Sequence, residues 1–195
     1  MADVVIQRVK TTSGSERIMV VTPYHPDFPR KARSLGGVFG RTREGKPAWF
    51  FDPRDEQRVR ELVKSVYGTT GEEEDDLVDV IVDLGSLDRE TGSIRWSDEF
   101  WFLGRQILKR WGRDSSVRLG RGVVVLEGEF ASSGGSRRNP QIGSVDGIVI
   151  EVRDVPRNLA DEAIRKHPNS VKIVQRESLC RRLFESYFAY GLGKL

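Results

Sequence analysis

The sequence predicts an α+β fold in two small lobes: an N-terminal strand-helix-hairpin-helix unit and a C-terminal mixed sheet with three helices. Short runs of β-forming residues alternate with longer stretches whose apolar residues recur at helical spacing. A chain of 195 residues suffices for one medium domain or two small ones. A polar, acidic stretch from Thr69 to Asp76 then sets the division, with lobes at 1–68 and 77–195 and a linker at 69–76.

In the first lobe, Val4 to Ile6 reads as a strand and Thr11-Thr12-Ser13-Gly14-Ser15 as a polar turn. Ile18-Met19-Val20-Val21 is a second strand, bounded by Pro23. The Pro-rich stretch 23–29 leads into a short helix, Arg30 to Leu35, which Gly36-Gly37 stops. Val38-Phe39-Gly40 and Ala48-Trp49-Phe50-Phe51 form a hairpin around the basic loop Arg41 to Pro47. The clearest helix follows. Asp52 can accept from the free amides of its first turn, Pro53 suits the first helical position, and Asp55 and Glu56 favour the positive end of the macrodipole. Val59, Leu62, Val63 and Val66 make one buried face, and Gly68 ends it.

In the second lobe, Leu77 to Leu84 alternates as a strand and Asp88 to Gly92 reads as a turn. Ser97 can cap a helix to Gly112 with an apolar stripe of Phe100, Leu103, Ile107, Leu108 and Trp111. Val123 to Leu126 and Ile148 to Ile150 are strands, separated by the small-residue loop 131–140. Asp154 or Asn158 can cap a short helix to about Lys166, Val171 to Val174 is a last strand, and Glu177 to Tyr190 a final helix.

Charge is patterned. Net charge is only +3, with charged residues at 31% and a pI of 9.1, and arginine supplies most of the basic excess. Phe28 to Lys64 holds ten Lys/Arg against five Asp/Glu, Glu72 to Glu90 nine acids against one base, and Arg95 to Arg121 seven bases against three acids. Two basic segments thus flank an acidic one. Arginine forks match phosphate bidentately, and a basic segment is the electrostatic footprint of nucleic-acid binding.

The segment Lys46-Pro47-Ala48-Trp49-Phe50-Phe51-Asp52, with a helix from Pro53 to Tyr67, resembles the HARP domain of annealing helicases. That pattern is a basic turn, a Trp-x-Phe strand and an acidic helix start, met here by Trp49, Phe51 and Asp52 to Glu56. The resemblance spans residues 18–67 and implies a DNA-contacting module. No helicase motor motif accompanies it, so motor activity does not carry over.

The candidate nucleic-acid-binding residues are Arg41, Arg43 and Lys46 on the hairpin loop, Arg30, Lys31 and Arg33 on the helix before it, and Trp49 beside them. Cations that reach phosphates and aromatics that stack on bases are what single-strand binding needs. The same residues also suit a solvated face over ordinary core aromatics. In the loop 132–138, small residues allow backbone amides to converge on an anion, and Arg137 with Arg138 can add charge-assisted bonds. A mobile hairpin loop is the plainer reading, and no P-loop lysine follows. Arg105, Lys109, Arg110 and Arg113 sit toward the end of the predicted helix 97–112, where the macrodipole favours cations anyway. Trp96, Trp101 and Trp111 read as core or interface, and Glu72 to Asp76 as a solvated linker rather than a cation site.

One cysteine, Cys180, excludes an internal disulfide, and two histidines, His25 and His167, leave no conventional zinc site or Ser-His-Asp set. No catalytic residue, metal or cofactor is assigned. No run approaches the roughly 20 apolar residues of a membrane span, and a cytoplasmic location is expected. The expected function is a non-catalytic nucleic-acid-binding accessory protein that contacts mainly the phosphate backbone, with DNA as the first candidate. The alternatives are a protein–protein adaptor or inhibitor using the acidic segment and aromatic helices, and a phosphate-binding enzyme acting on nucleic acid or nucleotide.

Overall fold

A computed structural model describes residues 4–11, 14–71 and 76–174. The predicted helix over Glu177 to Tyr190, with Cys180, and residues 72–75 of the acidic linker lie outside the described residues. The fold is α+β, and it divides into two compact units. One comprises Met1–Asp76, Trp101–Gln106 and Pro156–Leu159; the other comprises Leu77–Phe100, Ile107–Val155 and Ala160–Leu195.

The first unit is built on an antiparallel sheet of order β1-β2-β4-β3, from β1 (Val5–Lys10), β2 (Glu16–Val21), β3 (Val38–Arg41) and β4 (Pro47–Phe51). The β1 strand runs four residues past the predicted run, because Gln7, Arg8 and Val9 pair with Met19, Ile18 and Arg17. Strand side chains alternate between faces. Ile6, Ile18, Val20, Trp49 and Phe51 therefore share one face, and they are buried with Phe28 and Ala32 of α1 (Phe28–Ser34) and Val59, Val63 and Val66 of α2 (Glu56–Tyr67). Gly37 sits where this layer is tightest: a Cβ there would stand 2.5 Å from the Phe51 ring and 2.7 Å from the Ala32 carbonyl. Asp52 accepts from the Arg54 amide at 2.9 Å, as expected of a cap, but residues 53–55 form a 3-10 turn before the α-helix proper. Gly68, at φ 79°, ends the helix in the left-handed region that favours glycine.

In the second unit, β5 (Leu77–Asp83), β9 (Val123–Glu127), β10 (Val149–Pro156) and β11 (Val171–Val174) make a sheet of order β11-β5-β10-β9. The helix α4 (Arg157–Lys166) starts just after Pro156. Asp154 does not cap it: at φ 52° within β10, it gives its amide to the Asp79 carboxylate at 3.1 Å.

Two elements differ from expectation. The stretch 97–112 is not a helix but a hairpin of β6 (Glu99–Phe102) and β7 (Arg105–Lys109), joined in a sheet to β8 (Arg118–Leu119). Leu103 and Gly104 both adopt positive φ, 52° and 73°, the geometry of a two-residue hairpin turn. Ser97, assigned as a cap, instead accepts from the Glu99 amide at 3.2 Å and donates to the Glu99 carbonyl at 2.6 Å. The apolar spacing of 100, 103, 107 and 108 is helical, and the signals against a helix were the aromatic run Phe100-Trp101-Phe102 and the Leu-Gly pair. Residues 84–91 form a helix rather than leading into a turn. In α3 (Leu84–Thr91), Asp83 accepts from the Ser86 amide at 3.0 Å, Leu84 and Leu87 are buried, and Gly92 ends the helix.

Asp88 at the end of α3 is buried and accepts from the Ile94 amide at 2.8 Å, the Arg95 amide at 3.2 Å and the Arg95 guanidinium. Burial pushes its carboxyl up, but the Arg95 side chain and the two amides outweigh burial and hold it below the usual value. A depressed carboxylate contributes stability above its unfolded-state pKa and loses it as pH falls through the lower folded value. Asp88→Asn is therefore expected to cost about 1–3 kcal/mol at neutral pH, and to flatten the loss of stability below about pH 4. Urea midpoints measured across pH check this; an unchanged acid limb would show that Asp88 contributes nothing to it.

Candidate nucleic-acid interface

Because Trp49 and Phe51 face the helices, Phe50 between them faces the other way, together with its cross-strand partners Met19 and Val38. The same parity puts Val5, Gln7 and Val9 of β1 beside Val21 and Met19 of β2. Val5, Gln7, Val9, Met19, Val21 and Phe50 floor a groove of about 670 Å³ on the face of the sheet that the helices leave open. Its rim includes Lys10, Arg41 at the end of β3, and Arg43 and Lys46 of the β3–β4 loop, with Glu44 the one acid among the lining residues. The loop is closed by its own bonds. The Thr42 amide donates to the Lys46 carbonyl at 2.8 Å, the Gly45 amide to the Thr42 carbonyl at 3.0 Å, and Arg41 Nη1 to the Gly45 carbonyl at 2.8 Å.

The cations of the first unit fall into two classes. Those next to α2 are paired: Arg54 with Asp52 at 3.0 Å, Arg58 with Asp55 at 3.1 Å, and both Arg8 and Arg60 with Glu56 at 2.5 and 3.0 Å. Arg8 first and Arg60 second hold the Glu56 carboxyl below its usual value. Arg30, Lys31, Arg33, Arg41, Arg43 and Lys46 are all exposed, and none forms an ion pair among the described residues.

The structure brings only some of these together. Arg41, Arg43 and Lys46 meet Lys10 around the groove, whereas Arg30, Lys31 and Arg33 lie on α1, which packs on the opposite face. Trp49 is no free stacking platform. It is 7% exposed, with its ring edge-on to Phe28 and Phe39 and the Arg33 guanidinium 5.6 Å from its centroid. Phe39, on the edge strand β3, is 58% exposed. Lys10, Met19 and Phe50 were not singled out in the sequence. The signal for them was the alternation of Val5, Gln7 and Val9, which locates a two-faced strand once residues 5–10 are read as one.

Arg137 and Arg138 stand exposed in the second unit, at the tip of a tongue closed by a bridge between Gly135 and Pro140. Part of the tongue's backbone is already bonded. The Gly134 amide donates to the Arg113 carbonyl at 2.8 Å, Ser136 to Asn139 at 2.9 Å, and Gln141 to Gly134 at 3.1 Å. The predicted helix 97–112 placed Arg110 on a polar side; just past the end of β7 it is wholly buried. Its guanidinium donates to the carbonyls of Ala131 at 2.6 Å and Ile142 at 3.1 Å and to that of Ser115. No carboxylate pairs with it among the described residues, and burial lowers its pKa. Lys109 pairs with Asp98 at 2.6 Å and Glu99 at 3.3 Å, and Arg113 with Asp114 at 2.9 Å.

The described acids of the segment 72–90 are engaged inside the fold. Asp76 meets Arg157, Asp79 the Asp154 amide, Asp83 Ser86, Asp88 Arg95, and Glu90 both His167 and Ser170. In that last trio, the Ser170 hydroxyl and the His167 imidazole each end on the Glu90 carboxylate at 2.7 Å, which is not the serine-to-histidine contact of a nucleophile and its base. Among the described residues no group of His, Cys, Asp and Glu could hold a metal ion, and no helix is long and apolar enough to cross a membrane. Comparison with family models, with curated proteins and with solved structures finds no match.

Arg110→Ala would take the guanidinium donor from the buried Ile142 carbonyl and from the part-buried Ala131 carbonyl. It is expected to cost at least about 2 kcal/mol and to speed amide exchange at Gly134 and Gln141. Unaltered exchange at both amides would show that the tongue keeps its shape without the guanidinium.

Proposed function

We propose that this chain is a nucleic-acid-binding accessory protein without a catalytic step, gripping mainly the phosphate backbone, with DNA as the expected polymer. The observation that carries this reading is the contrast in charge pairing. Arg41, Arg43 and Lys46 have no carboxylate partner among the described residues, while Arg54, Arg58 and Arg60 nearby in sequence each have one. Unpaired cations on a turn closed by its own hydrogen bonds can meet phosphates without first giving up a protein carboxylate. The similarity of residues 18–67 to the HARP pattern supports the same reading, and a cytoplasmic location suits it. An adaptor for basic proteins is less favoured, because the described acids of residues 76–90 already have partners inside the fold.

Binding through phosphates releases counterions, so affinity should fall steeply with salt. Replacing Arg41 and Arg43 together with alanine is expected to weaken binding to every sequence and to lower the slope of log affinity against log salt by about 1.4–1.8. Replacing Arg54 and Arg58 together removes the same charge from paired positions and is expected to change affinity much less. Fluorescence anisotropy over a salt series reads both. Unchanged affinity in the Arg41/Arg43 variant, or equal losses in the two variants, would count against this surface.

A further inference from the structure

We infer that the open face of the first sheet takes single-stranded nucleic acid, with bases against its apolar floor and phosphates along its cationic rim. This deepens the nucleic-acid reading and rests on it. The floor is contributed by Val5, Met19, Val21 and Phe50, and the rim by Lys10, Arg41, Arg43 and Lys46. An apolar floor gains nothing from a duplex, whose bases are stacked and paired inside a sheath of phosphates. A single strand can turn its unpaired bases inward and keep its phosphates at the edge, which is how sequence-tolerant single-strand sites work. The groove, at about 670 Å³, falls in the range of sites that enclose small organic ligands, so a base has room to enter it.

Phe50 supplies the aromatic surface. It is held by position rather than by chance: Gly40 opposes Ala48 beside it, and a Cβ at Gly40 would stand 3.1 Å from the Phe50 ring. The ring therefore lies across a strand backbone that has no side chain to displace it.

Charge complementarity selects this occupant over others. A second copy seated symmetrically on the same face would set the cationic rim against itself. The sequence beyond Val174 carries four Lys/Arg and two Asp/Glu, the wrong sign for such a rim. A strand of phosphates has the right sign, and its bases match the floor.

The test uses the full chain and three labelled probes of equal length: oligothymidine, an abasic deoxyribose-phosphate strand, and a duplex. Anisotropy at about 0.1 M salt keeps screening fixed. Oligothymidine is expected to bind about tenfold tighter than the abasic strand and the duplex. Phe50→Leu, which keeps the apolar volume but removes the ring, should bring oligothymidine down to the abasic level, whereas Phe50→Tyr should keep the preference. Circular dichroism melts of both variants separate loss of the ring from loss of the fold. Equal binding of oligothymidine and the abasic strand, or an unaltered preference in a folded Phe50→Leu variant, overturns the inference and leaves phosphate binding standing. Polyglutamate bound as tightly as oligothymidine overturns it in favour of an acidic polypeptide, and a dimer in sedimentation whose assembly is blocked by Phe50→Leu overturns it in favour of a second copy. Failure of all three nucleic-acid probes to bind overturns the nucleic-acid reading itself.

Discussion

The apolar layer between the first sheet and its two helices constrains almost everything else in that unit. A strand has two faces, and every residue is committed once one face is buried. Trp49 and Phe51 pack against Phe28, Val59 and Val63, so Phe50 has to emerge on the far side with Met19 and Val38. The same layer fixes where charges fall. The β4 strand separates the loop holding Arg41, Arg43 and Lys46 from the cap residue Asp52 and the carboxylates of the first helical turn. Five residues of strand span about 17 Å, twice the screening length at physiological salt of about 8 Å. The acids that neutralise Arg54, Arg58 and Arg60 thus lie a strand's length from the loop cations, and Glu44, the acid within the loop, pairs with none of them among the described residues.

The second unit handles charge in the opposite way. Arg110 is buried without a carboxylate and is satisfied by carbonyls from segments around Ser115, Ala131 and Ile142. A buried ion costs free energy unless its hydrogen-bonding capacity is met. Several carbonyl dipoles converging on one guanidinium meet most of it, although Nε has no partner. Such a contact ties together loops that share no strand pairing. The tongue bearing Arg137 and Arg138 is therefore a built element, with the Ser136, Asn139 and Gln141 amides bonded within it and the Gly134 amide bonded to Arg113.

The first sheet was legible because its elements are punctuated by residues with single structural uses. Pro23 ends a strand, Gly36-Gly37 a helix, Asp52-Pro53 opens another and Gly68 closes it. Where punctuation is ambiguous, the sequence misleads. The residues Phe100, Leu103, Ile107 and Leu108 fit a helical stripe, while the aromatic run Phe100-Trp101-Phe102 and the Leu103-Gly104 pair, both at positive φ, belong to a hairpin. Eight residues with two buried leucines gave α3 too weak a period to be seen. The groove was hidden for another reason. It depends on the pairing of β1 with β2, and no single strand carries enough of the floor to reveal it. Arg110 was hidden because its partners lie as far as 32 residues away along the chain.

Exposure alone does not mark a binding arginine, since Arg54 and Arg58 are as open to solvent as many ligand contacts are. What differs is the exchange each must make. A paired arginine that meets phosphate trades one anion for another, and the carboxylate it abandons is left beside an incoming polyanion that repels it. An unpaired arginine trades only water and counterions, and releasing those counterions is itself favourable at low salt. The free-energy difference between those exchanges is set before any ligand arrives, by which cations the fold has already satisfied. On this protein that criterion selects the β3–β4 loop over the α2 helix, although α2 carries as many basic residues. It selects the same loop whether the polyanion is single- or double-stranded, and the neighbouring apolar floor is what distinguishes the two.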